Sequence, residues 1–219
     1  MIRNALIAGA TGLVGKELVQ FLLKTDYYNS LHIVGRRPYE LEHLKIKSYK
    51  VDFNHFEEFK CSALIHDVYI CLGTTMKKAG SRENFSKVDF GYILKIGQWA
   101  RKNSVGKLAV ISSMGSSESS KNFYLRTKGE MEKAIANLIL PNVIVMRPSL
   151  LLGQREEFRL AEKMGIIFSR PLIKLMIGRL RKYRPVYASQ VAKAMFHLTI
   201  NAERMVTIVE NEEIIDLPI

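Results

Sequence analysis

The sequence predicts an α/β fold: a Rossmann-like, doubly wound parallel sheet with helices on both faces and a small C-terminal excursion on the substrate side. Three observations carry that expectation. Short apolar runs alternate with helical patterns, which argues for a parallel sheet covered on both faces. The first run, NALIA at Asn4–Ala8, leads at once into the glycine-rich turn GATGLVG and then into KELVQFLLK. A polar loop, SSMGSSESSKN, follows a later strand, at the edge where such sheets bind ligands.

Taken in order, the opening strand, turn and helix form a dinucleotide-binding entry. Leu18, Phe21 and Leu22 recur at helical spacing, so a helix is expected over Leu13–Lys24. Glycines permit a tight turn and close backbone approach to a pyrophosphate, whose oxygens meet amides and the dipole at the helix start. The triplet Gly9, Gly12 and Gly15 differs from the commonest G-x-G-x-x-G spacing, and its place directly after an N-terminal strand favours nucleotide binding over a plain turn.

The second strand, Leu31–Val34, is closed by Gly35-Arg36-Arg37-Pro38. An NAD site usually offers an acid to the ribose hydroxyls about 20 residues past the glycine turn. Here two arginines stand instead, and a guanidinium fork suits a 2′-phosphate, so NADP(H) is the expected cofactor. A third strand is expected at Ser48–Val51, one or two helical turns at HFEEF, and a fourth strand at Asp67–Cys71. Helix Arg82–Arg101, strand Lys107–Ile111, helix Tyr124–Asn137 and strand Val143–Met146 follow. After Arg147-Pro148 the rhythm breaks, and residues 149–187 form an excursion. Within it REEFRLAEKMG reads as a helix ending near Gly165, and a second helix restarts at Pro171; the pair is expected to pack over the carboxyl edge of the sheet as a substrate-side lid. Helix Ser189–Thr199 and strand Val206–Val209 return the chain to the sheet, so residues 1–219 are read as a single domain.

Tyr124 and Lys128 stand four residues apart in YLRTK, one helical turn, after the strand that ends in Ser112 and Ser113. A phenol with its ordinary pKa near 10 is a poor acid–base group at neutral pH. A fixed ammonium beside it favours the phenolate, and a serine hydroxyl at the strand end could hold a substrate oxygen while the tyrosine gives or takes a proton.

Hydrophobic content of 47% and a mean hydropathy near zero describe a soluble globular chain. No apolar run reaches membrane-spanning length, and the first strand lies so near the start that no room for a signal peptide is expected. Cys61 and Cys71 suggest reduced thiols and a cytoplasmic setting. His32, His43, His55, His66 and His197 are scattered, so no metal is expected. The net charge of +12 raises nucleic acid as a partner, but no nucleic-acid motif accompanies it and none is expected. Six basic residues and no acid lie from Arg170 to Arg184, interleaved with Leu172, Ile173, Leu175, Met176 and Leu180. That segment could suit an anionic substrate, an acidic partner or a membrane surface.

Together GATGLVG, GRRP, Val51-Asp52-Phe53, CLGTT, the ISS run, YLRTK and MRPSLLLG resemble, in order, the atypical branch of the short-chain dehydrogenase/reductase superfamily, and within it the Tat-interacting-protein oxidoreductase group. The resemblance implies that Gly9, Thr11, Gly12, Leu13, Val14 and Gly15 wrap a pyrophosphate, with Arg36 and Arg37 on the adenosine phosphate. It implies Asp52 and Phe53 beside the adenine, and Leu72, Gly73, Thr74 and Thr75 along the ribose and nicotinamide side. Lys128 is then expected to bond the nicotinamide ribose, with Pro148, Leu150 and Leu151 bordering the nicotinamide. Ser113 is the expected catalytic serine, with Ser112 its rival, acting with Tyr124 and Lys128. Asp89, in KVDFGY, falls where many relatives carry a relay asparagine; an aspartate there supports a relay or caps local structure. The implied activity is NADPH-dependent hydride transfer with a small carbonyl or alcohol substrate. The alternative is an NADPH-binding redox-sensing or structural protein without turnover.

Overall fold

In the computed structural model the described residues are 3–153 and 176–218. Seven strands form one parallel sheet: β1 (Asn4–Ala8), β2 (Ser30–Gly35), β3 (Ile46–Lys50), β4 (Asp67–Ile70), β5 (Lys107–Ile111), β6 (Asn142–Arg147) and β9 (Val206–Glu210), in the order β3-β2-β1-β4-β5-β6-β9. Every neighbouring pair is parallel. A second, two-stranded sheet joins β7 (Leu151–Leu152) to β8 (Val186–Tyr187).

Helices cover both faces, as buried parallel strands require. α1 (Leu13–Leu23) and α6 (Ala188–Ile200) pack together on one face. There Ala5 and Ile7 of β1 meet Leu18, Leu22, Val191 and Met195. The intervening β1 residues, Leu6 and Ala8, point to the other face and meet Ile93, Ile96 and Trp99 of α4 (Ile93–Lys102) and Met131 and Ile135 of α5 (Phe123–Ala136). The alternation of side chains along a strand explains why β1 is apolar from Ala5 to Ala8: consecutive residues serve two cores.

The predicted elements recur with shifted ends, and two differ in kind. β3 spans Ile46–Lys50 rather than Ser48–Val51. The stretch expected as one helix over Arg82–Arg101 consists of α3 (Arg82–Ser86), a π-helical turn (Lys87–Tyr92) and α4. HFEEF forms the end of a 3-10 helix, Phe53–Glu58, and its C-cap Phe59. Two short helices escaped the periodicity, α2 (Met76–Ala79), capped by the Thr75 hydroxyl, and α7 (Asn211–Asp216), opened by a capping box between Glu210 and Glu213. The helices expected at REEFRLAEKMG and from Pro171 lie outside the described residues.

Candidate functional site

The strand order reverses between β1 and β4, so connections leave in opposite directions at their carboxyl ends and open a crevice there. Gly9 crosses that edge with φ +86°, a left-handed conformation that favours glycine. Gly15 packs on it so closely that a β-carbon would overlap the Gly9 carbonyl. Gly12, the residue preceding α1, has no side chain to cap the helix, and the first turn carries no acid. The first amides of α1 are therefore left for an external anion.

Two adjoining clefts, of about 770 and 630 Å³, share Gly9, Thr11, Arg36, Phe53 and Leu72 in their walls. The first continues along Gly35, Arg37 and Tyr39; the second along Gly12, Gly73, Thr74 and Tyr92. Lys16 lines the first cleft and Lys78 and Lys87 the second. In the sequence these three lysines are unmarked, apart from the place of Lys16 in the first helical turn after the glycines. A glycine cradle, bare helix amides and a cationic rim fit a dinucleotide with its phosphates.

Not every residue implied for cofactor contact lies in these walls. Val14 is buried in the core, 4% exposed, and shapes the turn from beneath. Leu13 reaches toward Gly153, where a β-carbon would overlap its side chain. Asp52 accepts hydrogen bonds from the Asn54 amide at 2.9 Å and Asn54 Nδ2 at 2.7 Å, capping its own turn; the bond from the Asn54 backbone is the main reason its carboxyl lies below the usual range. Thr75 caps α2. Pro148 accepts from the Met114 amide at 3.0 Å and Leu150 from the Val186 amide at 3.0 Å, while Leu151 lies in β7. Cys71, at the end of β4 and in the second cleft, has its thiol pushed up to about 12 by burial.

The acid–base residues converge at the end of β5. Asn122 caps α5 through the Leu125 amide, so the helix begins one residue before Tyr124. The Tyr124 ring packs on buried Phe85, centroids 5.4 Å apart, and its hydroxyl bonds to none of the described residues. Lys128, 3% exposed, points its ammonium between the Ile111 carbonyl at 3.4 Å and the Asp89 carboxylate at 2.7 Å.

The two serines have different surroundings. Ser112, 5% exposed, contacts Ser116 Oγ at 3.1 Å and donates a short hydrogen bond to Glu132. Glu132 is in turn held by Arg147 at 3.0 and 2.5 Å, and Arg147 reaches Glu210 at 2.8 Å. Hydrogen bonds to Glu132, then Glu210, hold the Arg147 guanidinium above its ordinary pKa. Ser113 is the more exposed serine; its carbonyl accepts from Ser116 Oγ at 2.6 Å, and its hydroxyl bonds to none of the described residues.

A family model described as "NAD dependent epimerase/dehydratase family" matches residues 5–208. "Protein FMP52, mitochondrial" of Meyerozyma guilliermondii is 32% identical over 217 residues, covering 96% of this chain and 93% of that protein. "Protein HTATIP2" of Rattus norvegicus is 34% identical over 164 residues, covering 73% and 67%. Among solved structures, "MoeE5 in complex with UDP-glucose and NAD" has a TM-score of 0.70 at 16% identity, covering 94% of this chain and 75% of that one, a likeness of fold.

These relatives agree with the resemblance read from the motifs and correct the expected location. The FMP52 relatives are named as mitochondrial, against the cytoplasmic setting inferred from two cysteines. Free thiols report a reducing environment, which is not a property of the cytoplasm alone.

Proposed function

This chain belongs to the NAD dependent epimerase/dehydratase family, and we propose that it is an NADPH-dependent oxidoreductase acting on a small carbonyl or alcohol. The carrying observation is the buried Lys128, whose ammonium is fixed at the end of β5 one helical turn past Tyr124. Burying an ammonium is costly, and Asp89 and the Ile111 carbonyl offset that cost at the strand end where sheets of this kind bind ligands.

In this reading the amides of the Gly9–Gly15 turn bind the pyrophosphate, and Arg36 and Arg37, in the wall of the first cleft, take the adenosine 2′-phosphate. Phe53 flanks the adenine, and Leu72 lines the ribose and nicotinamide side; both stand in the walls of the two clefts. Lys128 donates to the nicotinamide ribose. Bound NADPH supplies the hydride. Ser113 donates a hydrogen bond that orients the substrate oxygen, and Tyr124 delivers its hydroxyl proton to that oxygen in reduction, or removes one in oxidation. Ser112 is committed to Glu132, which favours Ser113 for this role.

A panel of small aldehydes and ketones, screened for NADPH consumption beside a Tyr124→Phe control, tests the assignment. Tyr124→Phe should abolish most turnover while leaving NADPH affinity nearly intact, because the ring and its packing persist. Reduction that survives this substitution undiminished would refute the mechanism.

A further inference from the structure

We propose that Cys61 is a site of thiol oxidation by hydroperoxides, with His32 as the base that takes the thiol proton and hands it to the leaving oxygen. The pair stands apart from the residues that line the clefts: His32 lies within β2, and Cys61 in the loop between the 3-10 helix and β4. A chain of hydrogen bonds settles which imidazole nitrogen carries the proton. Asn4 Nδ2 donates to the Leu64 carbonyl at 2.9 Å, which turns Oδ1 toward the Ser30 hydroxyl at 2.8 Å. An amide oxygen only accepts, so Ser30 gives its one proton there and must accept from His32 Nε2–H at 2.8 Å. Nδ1 is then the bare nitrogen, and Cys61 Sγ lies 3.3 Å from it. The Tyr49 hydroxyl also stands 3.0 Å from Nδ1, and its proton has a second acceptor in Ser62 Oγ at 3.1 Å.

The surroundings of the two cysteines differ in the ways that decide reactivity. The thiolate is the nucleophile, and a base within hydrogen-bond reach generates it as the sulfur reacts. Burial, then the charge of Lys47, keeps the His32 ring neutral, so Nδ1 is free to accept the Cys61 proton. Cys61 is partly exposed, which gives a molecule as small as a peroxide access to it. Cys71 has no such base: its neighbour is Met195 Sδ at 3.9 Å, and burial pushes its thiol up to about 12. In the reaction the Cys61 sulfur bonds to the near oxygen of the peroxide while its proton passes to Nδ1. The O–O bond breaks, and the far oxygen leaves with that proton. Sulfur is oxidised to the sulfenic acid, and hydrogen peroxide is reduced to water. Cys61 packs against the core on one face of the sheet and Cys71 against the core on the other. The chain has no further cysteine, so the sulfenic acid has no partner for an internal disulfide and is open to trapping.

The test treats the whole protein with hydrogen peroxide, traps sulfenic acid with dimedone and locates it by peptide mass spectrometry. Cys61 should be labelled before Cys71, and about tenfold or more faster than N-acetylcysteine at neutral pH. A rate no higher than that of the free thiol, or labelling confined to Cys71, would overturn the proposal. His32→Gln should remove the advantage, and undiminished labelling would eliminate His32 as the base. Because His32 is buried, Ser30→Ala supplies an independent arm: the ring stays, but its proton is free to move to Nδ1. Oxidation should slow by a smaller factor, and an unchanged rate would undo the assignment of the nitrogens. Tyr49→Phe keeps the ring stacked on His32 and removes the competing donor, so it should not slow oxidation. Slowing equal to that of His32→Gln would assign the effect to packing around the sulfur and overturn the role of the base.

Discussion

Gly9 passes so close to Cys71 that a β-carbon on it would stand 2.5 Å from the Cys71 carbonyl carbon and oxygen. The glycine turn and the end of β4 therefore touch through backbone, and Gly9 and Leu72 from the two sides of that contact line both clefts. Because φ at Gly9 is +86°, a side chain would add strain to that overlap. Gly9→Ala should cost about 1–3 kcal/mol from the backbone conformation alone, more with the clash, and should lower NADPH affinity as well. Urea unfolding with a cofactor titration checks both; wild-type stability in the variant would contradict the packing described here.

The Gly35-Arg36-Arg37 turn predicts cofactor choice. Losing a charge-assisted hydrogen bond costs roughly 1.5–3 kcal/mol, so Arg36→Ala should weaken NADPH by about tenfold or more and change NADH little. Titrating both cofactors into both proteins decides the matter. Equal losses would mean that the arginine does not read the 2′-phosphate.

Arg147 holds Glu132, and Glu132 holds Ser112, so removing the guanidinium leaves a nearly buried carboxylate without its cation. Arg147→Met should destabilise the fold by about 3 kcal/mol, the lower end for a broken buried pair because the arginine side chain is 18% exposed. Adding Glu132→Gln should recover much of the loss. Denaturant unfolding of the single and double variants measures this, and simple additivity would argue against the network.

His32 sits at 2% exposure with its ring between the Ser30 hydroxyl and Tyr49. Burial, then the charge of Lys47, holds its pKa below the ordinary value. Neutral imidazole is therefore favoured in the folded state, and the unfolded chain binds the proton more readily. The stability this provides is complete above the unfolded value of about 6.5 and is lost as pH falls through the lower folded value. Melting temperature should drop between pH 7.5 and pH 5, and His32→Gln should flatten that slope whatever its effect at pH 7.5. An unaltered slope would remove His32 as the cause.

The sequence by itself determined the sheet, the glycine turn and the pairing of Tyr124 with Lys128. These are local signals. A strand buried on both faces must be apolar throughout, as Leu6 and Ile7 serve opposite cores; a backbone crossing with positive φ calls for glycine; one helical turn separates residues four apart. Tertiary structure decided the rest, because each remaining answer depended on a partner distant in the chain. Periodicity over residues 82–101 reads as a plain helix and does not reveal the π turn that carries Asp89, the partner of Lys128. Ser112 and Ser113 are equivalent in sequence until Glu132, on another element, claims the first. Lys78 and Lys87 read as ordinary surface charges until α2 and the π turn place them in the wall of the second cleft.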